Sequence, residues 1–214
     1  MGFINKFEDV SLTAPKTPLV VTSERFVNEQ PVTLLLKEKI RSLSGDDFTI
    51  KDLNDVSYFK CKGKTFNFKD KKLVVDLYDT PLFTIKDNKV IALKRKMFVY
   101  EGDDTNNVLA TVRPQKAFFC RKFTVEFVNK TTGKEETIVV KSDLPGNSCG
   151  VFYGEEKEGA PLLCKIYKKI DAKIFINRQN YFVEIAENVD IAFMIAVAIC
   201  FDELKNDINK YNYG

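Results

Sequence analysis

A chain of 214 residues with 44% hydrophobic content has the size of one larger all-β domain and enough apolar side chains to bury a core of its own. Lys and Arg total 33 against 30 acidic residues, and the resulting +3 is too near neutral to hold nucleic acid or an anionic surface by overall field, so any anion site is a local patch. Histidine is absent, which removes the commonest general base and metal ligand.

Residues 1–31 carry Pro15, Pro18 and Pro31 and little periodicity. They read as an irregular arm with a short strand at Leu19 to Val21. Phe3, Ile4, Phe7 and Val10 fall at helical spacing, and are expected to strap the arm onto the domain rather than to form an amphipathic lipid-contacting turn. No apolar secretory core opens the chain, and Lys6 stands where myristoylation needs Ser or Thr, so a cytoplasmic protein is expected.

From Val32 to Ile185, short β-rich runs alternate with polar turns at hairpin spacing. Phe48 and Ile50 lead into a turn at Leu53-Asn54-Asp55, with the return strand beginning at Tyr58. Strands are expected at Lys72 to Leu77, Pro81 to Ile85, Lys89 to Leu93 and Met97 to Tyr100. Their turns fall at Asp79-Thr80, at Lys86-Asp87-Asn88 and across Lys94 to Lys96. Asn107 to Val112 follows the Gly102 turn, Phe118 to Val128 and Glu135 to Lys141 form a hairpin around Asn129 to Gly133, and strands at Cys149, Pro161 and Tyr181 bring the total to about a dozen. Eighteen Phe and eight Tyr suit such half-buried pleated faces.

Near the end, Ile191 to Phe201 is an unbroken apolar run fenced by Asp190 and Asp202, within a helix expected over 188–204. A helix apolar on every side is buried on every side. At about 1.5 Å per residue the run covers roughly 16 Å, short of the roughly 20 residues a membrane span needs. Ile191, Ala192, Phe193, Ile195, Ala196, Val197, Ile199 and Cys200 are thus candidates for the heart of the core, with Asn188 or Asp190 as cap. Many strands and one greasy helix imply a closed antiparallel barrel around that helix, because closure removes exposed strand edges. The domain reading is a 1–31 arm, a 32–208 barrel and a 209–214 tail.

The segments FTIKDLNDVSYFKCKG, DKKLVVD and TPLFTI, then Ser148-Cys149 with Val151, and above all Asn180-Tyr181 through N-V-D and the apolar helix to Asp202, resemble the LURP-one-related family. That family is related to the tubby C-terminal domain and the phospholipid scramblases, and the resemblance runs from about Val32 to Leu204. It implies a mainly β, tubby-like barrel of about twelve strands around a central hydrophobic C-terminal helix. The tubby relatives imply phosphoinositide binding through basic side chains on the barrel exterior. The scramblase relatives place calcium-binding Asp residues before the helix, but the matching positions here are Asn177, Gln179 and Asn188, with only Asp190 acidic, which argues against calcium-triggered scrambling.

Other motifs point away from catalysis. Gly146-Asn147-Ser148-Cys149-Gly150 matches a nucleophile elbow, which requires a following helix and a triad His. Gly63-Lys64-Thr65 copies the end of a P-loop but lacks its first glycine, with Tyr58 in that place. Cys61, Cys120, Cys149, Cys164 and Cys200 contain no C-x-x-C pair and read as buried thiols. No catalytic group, metal or cofactor is expected. The candidate anion-binding clusters are Lys94-Arg95-Lys96, Arg121-Lys122, Lys168-Lys169 and the run Lys60, Lys62, Lys64, Lys69, Lys71, Lys72, although Lys also serves to protect strand edges. The expectation is a non-enzymatic module that binds phosphoinositide or another anionic phospholipid headgroup or tethers to a membrane. The alternatives are a scramblase-like lipid transporter and a protein-interaction scaffold in stress or defence signalling.

Overall fold

Alternating apolar and polar residues commit each strand to one inner and one outer face, and the chain uses the inner faces to build a wall around its helix. The computed structural model describes residues 7, 9–37, 48–62, 71–88, 96–115, 121–143, 148–168 and 180–212, with backbone alone for Lys37, Arg121, Asn180 and residues 206–212. Among these, twelve strands close into a barrel. They are β1 (Val32–Lys37), β2 (Phe48–Asp52), β3 (Ser57–Lys62), β4 (Lys71–Val75), β5 (Pro81–Asn88), β6 (Lys96–Glu101), β7 (Val108–Gln115), β8 (Arg121–Asn129), β9 (Lys134–Ser142), β10 (Ser148–Phe152), β11 (Leu162–Tyr167) and β12 (Asn180–Ile185). Each pairs antiparallel with its sequence neighbours, and β1 pairs β12 from Val32↔Ile185 to Lys37↔Asn180 to close the cylinder.

The helix α1 (Ile191–Asn212) fills the lumen. Residues Ile191 to Phe201 are all buried, as are the inward side chains of the wall, among them Leu34, Ile50, Phe59, Val99, Val125 and Val183. Phe193 packs against Phe127 with ring centroids 5.0 Å apart, and Phe201 meets Tyr181 edge-on at 5.9 Å. Burying a large apolar side chain contributes about 1.5–3 kcal/mol, which makes the rod a principal source of stability.

Several boundaries differ from the sequence reading: the strand expected at Leu19 to Val21 is a single bridge at Leu19, and the one expected at Lys72 to Leu77 ends at Val75. The helix begins at Ile191 rather than Asn188, because Asn188 has φ 61° and Asp190 takes the capping position. It ends at Asn212 rather than 204, so the expected tail largely continues the helix, in a stretch that contains neither Pro nor an internal Gly to stop it. The turn expected at Lys86-Asp87-Asn88 is instead the end of β5, since Asp87 and Asn88 pair with Met97 and Lys96 across the ladder. The strand expected at Lys89 to Leu93 lies outside the described residues.

Topology gives the barrel two unlike ends. Helix α1 enters where β12 finishes, and the turns 53–56, 76–80, 102–107, 130–133 and 153–161 share that entry end. Tight turning there places Asp55, Asp79, Gly102 and Gly133 at φ between 64° and 67°. The arm crosses the same end: Leu19 bridges Val189, Val27 bridges Asp190, and Phe26 packs on Phe59. Upstream, Phe7 lies on the outer face of β10 and β11 against Phe152 and Leu162. Gly150 makes room for it, since a Cβ there would lie 2.8 Å from the Phe152 ring and 3.0 Å from Leu162 and from Phe7.

Candidate functional site

Strand alternation turns every second residue outward, so pairing decides which outward cations meet. On the exterior, Lys71 of β4 stands directly opposite Lys86 of β5. Lys86 pairs with Phe98 of β6, which puts Lys96, two residues earlier on the same face, on its diagonal. One step beyond the Met97↔Val112 pair, Lys96 stands beside Arg113 of β7. Lys122 of β8 lies diagonally beyond, opposite Gln115, and pairs directly with Lys141 of β9. Direct partners have Cβ atoms about 5 Å apart and diagonal ones about 7–8 Å, so Lys71, Lys86, Lys96, Arg113, Lys122 and Lys141 form one basic belt across six successive strands.

Arg113, Lys122 and Lys141 of the belt each meet a carboxylate. Arg113 Nε lies 2.8 Å from both oxygens of Glu126. Lys122 Nζ is 2.5 Å from Glu155, and Lys141 Nζ is 3.0 Å from Glu156. The Lys122 ammonium holds the Glu155 carboxyl below its ordinary range. The loop 153–161 is thereby clamped over two like charges that would otherwise repel. The other half gathers Lys71, Lys86 and Lys96 around the half-buried Phe98, whose ring lies 5.9 Å from that of Tyr100.

Of the candidates nominated from sequence, Lys71, Lys96 and Lys122 join this belt. Lys64, Lys69, Lys94, Arg95 and Lys169 lie outside the described residues, and Arg121 heads β8 with only its backbone described. Lys60 and Lys62 turn away to share the Asp79 carboxylate, at 3.2 and 2.9 Å, and hold its pKa down, Lys62 foremost. Lys72 and Lys168 face inward instead. Lys72 Nζ is 3.5 Å from Glu203 of α1, while Lys168 and Lys205 approach the Tyr181 ring at 5.3 and 5.4 Å and Lys205 donates to the Tyr181 hydroxyl at 3.0 Å. This inner cluster begins where the apolar run stops, at Asp202-Glu203. All eight nominated helix residues, Ile191, Ala192, Phe193, Ile195, Ala196, Val197, Ile199 and Cys200, are buried in the main core. Lys86, Arg113 and Lys141 escaped sequence reasoning because each is isolated along the chain and meets its neighbours only through strand register.

The catalytic look-alikes have structural occupations. Ser148 is fully buried and donates its hydroxyl to Asp143 at 2.9 Å. Cys61, Cys149, Cys164 and Cys200 are buried, Cys120 lies outside the described residues, and burial pushes the Cys149 and Cys164 thiols far up. Asn129, in the sequon Asn129-Lys130-Thr131, is completely buried. Its amide accepts from the N–H groups of Val20 (3.2 Å) and Thr131 (3.0 Å) and donates to Glu136 (3.0 Å). Glu136 also accepts the Tyr153 hydroxyl, and burial with this carboxylate raises the phenol to about 12. At the calcium-like positions, Asn177 and Gln179 lie outside the described residues. The Asn188 backbone is tied to the arm, its N–H donating to Asn28 O at 2.8 Å and its carbonyl accepting from Leu19 at 3.0 Å. No helix among the described residues is long and apolar enough to cross a membrane.

Comparison with known proteins points one way. The family model described as LURP-one-related matches residues 32–202. The Arabidopsis thaliana protein LURP-one-related 10 is 28% identical over 88% of this chain and 98% of its own length. LURP-one-related 15 from the same plant is 24% identical over 90% and 89%. A solved X-ray structure of an Arabidopsis thaliana protein superposes with a TM-score of 0.63 at 23% identity, over 86% of this chain and 98% of that one, and shares the fold.

Proposed function

The chain belongs to the LURP-one-related family, and from that premise we propose that it is a non-enzymatic module that binds anionic phospholipid headgroups, phosphoinositides foremost, and so tethers to a membrane surface from the cytoplasmic side. The observation that carries this reading is the direct pairing of Lys71 with Lys86 and the diagonal approach of Lys96. Like charges placed directly opposite one another on a sheet repel, and an anion drawn to several of them at once offsets that repulsion. Converging ammonium groups are the chemistry a phosphate monoester needs. Phe98 supplies the apolar contact that sits at a membrane interface, with Tyr100 beside it. A calcium-triggered lipid transporter is disfavoured, since Asp190 is occupied as a helix cap and α1 is enclosed by the wall.

Sedimentation with phosphatidylcholine vesicles, with and without a few per cent phosphoinositide, at physiological salt is the test. Juxtamembrane cations contribute about 1 kcal/mol each. K86E/K96E therefore lowers vesicle affinity by roughly two orders of magnitude or more, while E126Q leaves it intact. Negligible pelleting on both vesicle types, or pelleting indifferent to the charge reversal, removes the lipid reading.

A further inference from the structure

The entry end differs chemically from the belt. Its turns 53–56, 76–80 and 102–107 contain five aspartates, Asp55, Asp76, Asp79, Asp103 and Asp104, and neither lysine nor arginine. They are neighbours on the rim: β3 and β4 pair, which sets the first two side by side, and Gly102 N–H donates to Leu82 O at 3.1 Å, which joins the third. From this ridge project Leu53, Val56, Leu77 and Tyr78, the last 91% exposed. Asp76, Asp79 and Asp55 are engaged by Arg25, by Lys60 and Lys62, and by Lys51 respectively, whereas Asp103 and Asp104 form no ion pair among the described residues. Large apolar side chains clustered on turn tips and rimmed by charge mark an interaction surface, and an exposed Tyr is the residue type that anchors one.

We infer that this ridge docks a protein segment that carries lysine or arginine beside apolar side chains. The charge selects the occupant. An anionic bilayer or a nucleic acid would be repelled by Asp103 and Asp104, while a basic segment gains their attraction as its apolar residues cover Leu53, Leu77 and Tyr78. A second copy of this chain joined through its basic belt would make a heterologous contact, seen in solution as a ring or a filament. The ridge and the belt lie on different parts of the barrel, so this inference stands independently of lipid binding.

Calorimetric titration of the full chain with an amphipathic Lys/Leu peptide, and with its Glu/Leu counterpart, tests it. The Lys/Leu peptide binds and weakens with salt, Y78S and D103K each reduce its affinity about tenfold or more without moving the thermal midpoint, and the Glu/Leu peptide does not bind. The inference is overturned if neither peptide binds, if the Lys/Leu peptide is indifferent to both substitutions, or if Y78S instead abolishes self-association in sedimentation velocity or binding to anionic vesicles.

Discussion

Thr22 and Asp190, far apart in sequence, form the latch of the molecule: the Asp190 carboxylate accepts the Thr22 N–H at 2.6 Å and the Thr22 hydroxyl at 2.8 Å. The same carboxylate accepts the N–H of Val21 at 3.1 Å and caps α1 through the N–H of Phe193 at 3.0 Å. Burial pushes this carboxyl up, and the donors from Phe193, Thr22 and Val21 pull it partly back. One side chain thus starts the helix and fastens the arm.

Asp190→Ala removes a cap, worth about 0.5–2 kcal/mol, and strands buried donors at about 1–3 kcal/mol each. Urea unfolding is expected to show a loss of about 3–5 kcal/mol. Thr22→Val costs less, and the double variant costs less than the sum of the two, because they share one network. Strict additivity would show that the arm and cap are independent.

Gly150→Val drives a side chain into the space occupied by Phe7, Phe152 and Leu162. Overpacking of this kind costs about 1–3 kcal/mol. The relief route is release of the arm, so limited proteolysis cuts near residues 7–13 while the barrel stays resistant. A variant as protease-resistant as the parent would mean Phe7 does not hold the arm.

Phe193→Ala leaves a void against Phe127 in the enclosed lumen and is expected to cost about 3–5 kcal/mol. Ala196→Leu, at a fully buried position of the same helix, overfills the lumen and costs about 1–3 kcal/mol. Equilibrium unfolding followed by tyrosine fluorescence reads both. A near-neutral Phe193→Ala would contradict the packed lumen.

Acid should loosen the rim before the core. Asp79, between Lys62 and Lys60, and Glu155, beside Lys122, titrate below their ordinary values. Burial works to raise Asp76, but the N–H groups of Thr80 and Tyr78, the Thr80 hydroxyl and Arg25 outweigh it. For depressed carboxyls, the stabilisation is complete above the unfolded values, near pH 4, and is lost as pH falls through the folded ones. Asp190 has the opposite sign, because a raised carboxyl favours the fold at low pH and that gain fades as pH rises through its folded value. The urea midpoint therefore falls below about pH 4, and D79N flattens part of that fall. An unchanged slope in D79N would show that the Lys60–Lys62–Asp79 cluster contributes nothing.

Much of the architecture was legible because it depends on local pattern. Ile191 to Phe201 carries no polar face, and Leu53-Asn54-Asp55 and Asn129 to Gly133 have the chemistry of tight turns, so barrel and rod followed from the residues alone. Lys86-Asp87-Asn88 misled because its polar composition resembles a turn, while ladder pairing with Lys96 and Met97 kept it extended. The belt was legible only in part. Lys71, Lys96 and Lys122 stood out as members of basic runs, but Lys86, Arg113 and Lys141 join them through register, a property of pairs of distant segments. Thr22 gave no signal, since an arm without periodicity conceals which of its residues touches the helix.

The seam between β1 and β12 imposes an order of events on biosynthesis. Every other neighbouring pair of strands is consecutive in the chain, so the sheet can grow hairpin by hairpin as it leaves the ribosome. The final pairing joins the first strand to the last, and the rod that fills the cylinder emerges after both. A nascent wall without α1 would surround a hydrophobic void, and its first strand would present unpaired backbone. Closure is therefore a late step, and until it occurs the bare edge of β1 is where a chaperone or a second nascent chain can add a strand.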